Sequence, residues 1–255
     1  MKYKNIFDTH SHYDDEQFDN DRLTLLSELS GRGVKNIVTC GVDIDTSTAN
    51  QKLAEKYEYI YFAAGFHPEN LEGFQPSDID KIRDISKHEK CVAIGEIGLD
   101  YHWMSSTKEV QQDFFKEQII LANELKMPVI VHDREAHGDT LEILKELKPQ
   151  GVLHCFSGSV EMAREVIKLG MYIGLNGVVT FKNARKSLEV VRDIPIERLV
   201  LETDCPYLAP VPCRGKRNDS SLIPHIAEKI GEVLGLSAQE VLDMTNENAH
   251  RLFNI

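Results

Sequence analysis

The chain has 255 residues, 42% hydrophobic and 27% charged, with a formal net charge of -12. That length holds one α/β barrel or two smaller domains, and the apolar content suffices for a sizeable core. So acidic a chain is not one that coats nucleic acid non-specifically; any action on nucleic acid needs a local attraction.

Short apolar runs alternate with amphipathic ones along the chain. The first is NIFDTHSH (5–12), followed by a helical pattern from Arg22 to Leu29 that Gly31 and Gly33 stop. KNIVTCG (35–41), YIYFAAGFH (59–67) and CVAIGEIG (91–98) come next. A helical pattern over 114–122, ended by Pro128, leads to PVIVHD (128–133), and another over 141–147, ended by Pro149, leads to GVLHCF (151–156). MYIGLNG (171–177) and RLVLETD (198–204) complete eight runs, and residues 221–234 and 238–252 read as closing helices. The β-branched content of the runs reads as buried parallel strands. Strand alternating with helix gives βα units, and eight of them predict a (β/α)8 TIM barrel spanning 1–255 as a single α/β domain. An open doubly wound sheet is the alternative. It loses its usual support because no GxGxxG follows the first strand.

The five cysteines are an odd set with no CxxC spacing, which argues against a disulfide framework and against a cysteine-only zinc site. The N-terminal MKYKNIFDTH lacks a signal-peptide core, and no apolar run reaches membrane-spanning length. A soluble cytoplasmic protein is expected, with no membrane association and no obligate protein partner evident.

Residues two apart on a strand share a face. His10 and His12 therefore point together, as do Val92, Ile94 and Glu96; Ile130 and His132; Val152 and His154; Val200, Glu202 and Asp204. Each apolar stem turns ionisable at its C-terminal end, where barrel active sites are built. Taken singly, each has a bland reading: a lone histidine is more often hydrogen-bonded or superficial, Glu96 suits a buried ion pair, and Asp204 suits a turn cap. The joint pattern decides against accident. His10, His12, Glu96, His132, His154 and Asp204 converge on one mouth, an imidazole and carboxylate set without thiolate that suits Zn²⁺, Mn²⁺ or a similar ion. Asp8 has the same parity one step deeper and is expected to hold a ligand in place.

The motifs resemble those of the TatD family of metal-dependent hydrolases. FDTHSH (7–12), GFHPEN (65–70), AIGEIGLDY (93–101), PVIVHDR (128–134), HCFSGS (154–159), GLNGVVTFKNA (174–184), LETDCPYLAP (201–210) and RGKRND (214–219) carry the likeness in order across nearly the whole chain. The resemblance implies that the six converging residues are metal-binding positions. It also implies a divalent-metal-dependent 3′-5′ exodeoxyribonuclease. Ser11 stands where a cysteine is frequent, and Ser220 where a proline often follows RGKRN.

On this reading two divalent ions (Zn, Mn or Mg) bind, one at His10, His12 and Glu96 with Asp204 against it, the other bridged by Glu96 to His132 and His154. Asp204 is the expected catalytic proton acceptor, with Glu202 behind a ligand rather than a base itself. Two carboxylates and two divalent ions are expected to leave the pocket net positive. The expected substrate is single-stranded DNA or another nucleic acid 3′ end. His67 is expected to donate to a phosphate oxygen, and Arg214, Lys216 and Arg217, with Lys182 as a further candidate, to bind phosphate from loops after the last strands. Arg134 is open between the mouth and a structural ion pair. Tyr101 and Trp103 are open between lid packing and stacking on a terminal base. Strand alternation turns Cys155 into the core, and Cys205 is undecided. A metallohydrolase of the amidohydrolase type, acting on a small ester or amide, is the competing function; it needs no phosphate clamp.

Overall fold

The structure is a computed structural model and describes residues 2–73, 75 and 77–255. Eight parallel strands form one sheet in sequential order: β1 (Ile6–Ser11), β2 (Val34–Cys40), β3 (Ile60–Ala64), β4 (Cys91–Asp100), β5 (Val129–Arg134), β6 (Gly151–Leu153), β7 (Tyr172–Leu175) and β8 (Leu199–Leu201). The two outer strands meet at a parallel bridge between Ser11 and Cys205. There His12 N donates to Cys205 O at 2.8 Å and Asp204 N to His10 O at 2.9 Å. The expected (β/α)8 barrel is therefore the fold.

The helices are α1 (Arg22–Leu29), α2 (Ile44–Lys56), α3 (Asp78–Ile85), α4 (Lys108–Leu125), α5 (His137–Leu147), α6 (Val160–Lys168), α7 (Arg185–Asp193), α8 (Ile223–Leu234) and α9 (Ala238–Phe253). α1, α8 and α9 fall where the apolar pattern puts them. α2, α3, α6 and α7 are short or charge-rich rather than long apolar stripes, and two of them, α2 and α6, start from side-chain caps. Asp43 and Thr46 form a capping box at α2, and the Ser159 hydroxyl accepts from Met162 N at α6. α4 begins six residues before its apolar pattern because Thr107 caps it there.

Two apolar cores follow from the strand period. Phe7, Val38, Ala63, Val92, Ile130, Val152 and Val200 fill the barrel, and Leu252 and Phe253 of α9 close its N-terminal end. Phe253 stacks on Phe7 with ring centroids 6.0 Å apart. The opposite faces of the strands pack against the helices. With one end plugged by apolar rings, ionisable residues collect at the other.

Strict alternation fails at two strands, both beside the site. Pairing slips between Asp8 and Ser11 of β1, and again in β4, between Cys91 and Ala93 opposite Phe62 and Ala63 of β3 and between Ile94 and Ile97. Phe7, not Asp8, therefore lines the barrel, and Ile94 packs outward while Val92 packs inward. The expected shared parity of Asp8 with His10, and of Ile94 with Glu96, is corrected accordingly. Bulges of this kind re-aim side chains next to active sites. Here they bring His10 and Glu96 to the mouth despite the miscount.

Candidate metal centre

All six expected ligands meet at the C-terminal mouth, though not all from within strands. His12, His154, Glu202 and Asp204 lie just past the ends of β1, β6 and β8. Asp204 has a φ of 57°, the left-handed region that an aspartate tolerates better than most residues. That bend aims its carboxylate across the mouth at β1.

The donor atoms fall into two sets that share Glu96. In the first, His10 Nε2 and His12 Nε2 are 3.0 Å apart. Glu96 Oε2 lies 3.3 and 3.5 Å from them, and Asp204 Oδ1 lies 3.6 and 3.4 Å from them. In the second, Glu96 Oε1 lies 3.0 Å from His132 Nδ1 and 2.8 Å from His154 Nε2, which are 3.3 Å from each other. A tetrahedral ion with bonds near 2.0–2.1 Å separates its ligands by about 3.3–3.4 Å. Both sets match that edge, and facing ring nitrogens without a cation or proton between them would repel. The donors fit a divalent metal.

Groups behind the ligands fix which nitrogen is free. His12 Nδ1 donates to the Cys40 carbonyl at 3.1 Å, leaving Nε2 as the lone pair. His132 Nε2 donates to Asp100 Oδ2 at 3.0 Å, leaving Nδ1. His10 Nδ1 faces the buried Cys40 thiol sulfur at 3.5 Å, so Cys40 backs two ligands at once. His154 Nδ1 has Glu202 Oε1 at 3.7 Å, and that oxygen accepts from Cys155 N. Two glycines make this crowding possible. A Cβ on Gly98 (φ 147°) would sit 2.0 Å from His132 O, and one on Gly174 would sit 2.4 Å from Glu202 Oε2.

The field is strongly negative and demands positive charge. Burial alone would raise Glu96 and Asp204, but neighbouring imidazoles overcome it, holding Glu96 well below its ordinary range and Asp204 at about 2. Burial alone would lower His12, His132 and His154. The carboxylates overcome it, pushing His12 up to about 9, His132 upward, and His154 well up. For His10 and His67 burial wins and both are lowered. Protons on these rings meet the demand that a divalent cation would meet.

His67 stands at the same place with a different role. Its Nδ1 accepts from Glu69 N at 3.2 Å, so its proton is on Nε2, 3.4 Å from Glu96 Oε1. His67, Glu96 and His132 also lie close enough together to hold an ion, but with its proton on Nε2 this ring faces Glu96 as a donor. Among the basic residues, Arg217 is bound through both terminal nitrogens to Asp21, at 2.8 and 2.6 Å, and also donates to the Gln17 carbonyl. Its charge is already neutralised, unlike the phosphate-binding role expected of it. Arg214 and Lys216 are exposed, as is Lys182. Arg134 has no carboxylate partner among the described residues and lies over the Trp103 ring, 5.5 Å from its centroid. Tyr101 is held by Asp139 at 2.6 Å, a packing role. Cys155 lies in the turn after β6 with a φ of 45°, half-buried rather than on a core-facing strand position, whereas Cys205 is fully buried in the β1–β8 seam.

Asp8 holds no ligand ring. It accepts from Thr203 N, Thr203 Oγ1, Ser220 Oγ and His10 N at 2.9, 2.6, 2.6 and 3.4 Å, knitting the start of the β8 loop to β1. Ser220 N also donates to Tyr13 Oη at 3.0 Å. A proline at 220 has neither the N–H nor the hydroxyl, so this serine is structural in this chain. Ser11 points away from the mouth to the Val38 carbonyl. Asp100 and Cys40 are the residues that sequence reasoning missed. Asp100 had a signal, an acid four past Glu96 in the same motif; a backbone carbonyl backing His12 has none.

With this geometry in view, comparison with known proteins is decisive. The family model described as TatD related DNase matches residues 7–254. The chain belongs to the TatD family. It is 45% identical over 253 residues to the uncharacterized metal-dependent hydrolase YabD of Bacillus subtilis, covering 98% of this chain and 99% of that one. It is 34% identical over 258 residues to the 3′-5′ ssDNA/RNA exonuclease TatD of Salmonella typhimurium, covering 98% and 99%. Its backbone matches the crystal structure of YjjV, a TatD homolog from Escherichia coli K12, with a TM-score of 0.90 and 30% identity over 98% of each chain. This TatD-family chain is a metal-dependent hydrolase with its donor sets at the barrel mouth, and no helix among its described residues is long and apolar enough to cross a membrane.

Proposed function

We propose that this TatD-family chain is a 3′-5′ exonuclease on single-stranded DNA or RNA, working with two divalent ions. The observation that carries the reading is Glu96, whose two carboxylate oxygens each face a different pair of imidazoles, an arrangement that would let it serve two ions. His10, His12, Glu96 and Asp204 would hold one ion; Glu96, His132 and His154 would hold the other. Bound there, such ions supply Lewis acidity that activates water and offsets charge on a phosphate. The polarity and the single-stranded substrate are carried over from the name of the Salmonella relative.

The protein groups divide the remaining work. Asp204 is ionised under all ordinary conditions, because the imidazoles outweigh its burial. It orients a water and takes one proton from it as the oxygen adds to phosphorus; the P–O3′ bond breaks, and Asp204 passes that proton to the departing 3′ oxygen of the shortened strand. His67, neutral through burial, donates its Nε2 proton to a phosphate oxygen. Glu202 steadies His154 and the turn at Cys155. Arg214 and Lys216 are the phosphate-binding cations of the final loop. All five cysteines are free thiols, which suits the reducing cytoplasm.

The test is polarity-resolved cleavage of a 5′-labelled single strand. With Mg²⁺, Mn²⁺ or Zn²⁺ the product ladder shortens from the 3′ end, and a 3′-terminal phosphorothioate slows it. Turnover of small esters or amides without any shortening of the strand would overturn the reading in favour of the competing one.

A further inference from the structure

The metal centre cannot by itself draw an anionic substrate to this acidic chain. Beside Glu96 and Asp204 it contains Asp100 and Glu202, both fully buried. These two carboxylates, beyond the two counted from sequence, lower the positive charge that two divalent ions would bring. Attraction must come from the rim.

Two features of the rim repeat one chemistry. On one bank, the loop after β4 carries Trp103, 59% exposed, with the Arg134 guanidinium from the end of β5 over its ring at 5.5 Å. On another, the loop after β7 carries Phe181, with Arg214 from the loop after β8 over its ring at 4.4 Å. Most arginines of this chain sit against a carboxylate, as Arg22, Arg32, Arg164 and Arg217 do. Arg134 and Arg214 have none among the described residues. The sequential strand order sets the loops after β4 and β8 on opposite sides of the mouth, with the donor sets between them.

We infer that these two arginine–aromatic pairs are nucleotide subsites flanking the metal centre. Each ring stacks a base, and each guanidinium, held against the ring, takes the adjoining phosphate. The inference rests on the nuclease reading and names where its substrate lies: a single strand crosses the mouth from Trp103 to Phe181. A duplex does not satisfy it, because paired bases keep their faces against one another. Neither ring contributes a metal ligand, so these subsites select substrate rather than perform chemistry.

Trp103 is the only tryptophan in the chain, so its emission reports this subsite alone. The experiment titrates the metal-loaded protein with a short phosphorothioate oligothymidylate, following tryptophan emission and, in parallel, the anisotropy of the same strand carrying a dye. The expected result is saturable quenching that tracks the anisotropy. Trp103→Ala and Phe181→Ala each weaken binding about tenfold, and Trp103→Phe restores most of the loss. Arg134→Gln flattens the slope of log affinity against log salt by about 0.7, the share of one single-strand phosphate. A strand that binds by anisotropy while tryptophan emission stays unchanged overturns the subsites and leaves the nuclease reading standing. So does an abasic strand that binds as tightly as the thymidylate. No binding and no cleavage overturn both.

Discussion

Asp100→Asn separates an electronic role from a structural one at the second donor set. Asp100 Oδ1 accepts from His102 N and Trp103 N, both at 2.9 Å, while Oδ2 accepts from His132 Nε2 at 3.0 Å. An asparagine keeps its carbonyl oxygen on the two backbone donors and turns its NH₂ toward His132. That ring must then accept at Nε2, which moves its proton to Nδ1, the atom 3.0 Å from Glu96 Oε1. Nδ1 loses the lone pair the metal needs. Outer partners of ligating histidines are worth roughly 10–100-fold in affinity, or about 1.4–2.7 kcal/mol. The assay is competition between the protein and a chelator of known affinity, following Zn²⁺ or Mn²⁺ at each of two equivalents. Weakening of one equivalent by that factor, with the thermal midpoint little changed, is expected. Unaltered affinity for both equivalents in a folded variant refutes the assignment of Nδ1 as a ligand.

Metal binding should be proton-coupled, because His12 holds its proton up to about pH 9 without metal and a cation must displace it. Affinity therefore rises with pH from 6 toward 9, and adding Zn²⁺ at pH 7 in weak buffer should release protons; a flat profile contradicts this. Asp204→Asn keeps most of the bound metal and loses at least 100-fold in kcat, read by single-turnover cleavage and metal analysis. Ser220→Ala leaves buried Asp8 short of a donor, so urea denaturation should show about 1–3 kcal/mol lost. Burial raises Asp8 to about 7 in the folded chain against an ordinary 3.8, so its contribution to stability is full at low pH and falls as pH rises from about 4 to 7. Asp8→Asn should flatten that part of the stability curve.

The barrel was legible because each of its strands is a short apolar run, and burial on both faces leaves few alternatives for such runs. The residues that meet at the mouth were legible because each closes a run with an ionisable residue, so their chemistry outlasts small errors of register. The register itself was not legible. Bulges in β1 and β4 depend on pairing with β2, β3 and β5, and no residue type announces them. Asp8 was misplaced for that reason, and Glu96 reaches the mouth although the parity count behind it was wrong. Helices such as α7, RKSLEVVRD, were missed because they bury only a narrow face, Val190 and Val191, under a highly charged exterior. The balance of charge was misjudged through Asp100, whose partner His132 is 32 residues away.

The central claim is that Glu96 joins two metal sites that act together on a phosphodiester. Its most direct measurement is cleavage of a 5′-labelled single strand at increasing metal equivalents, alongside elemental analysis, for the wild type and a His10→Ala/His12→Ala variant. The account predicts that the wild type binds two equivalents, with strand shortening that depends on metal and stops with EDTA. The variant should keep the equivalent at His132 and His154 and lose cleavage. Wild-type cleavage in EDTA, or a variant that binds two equivalents and shortens the strand at the wild-type rate, would contradict it.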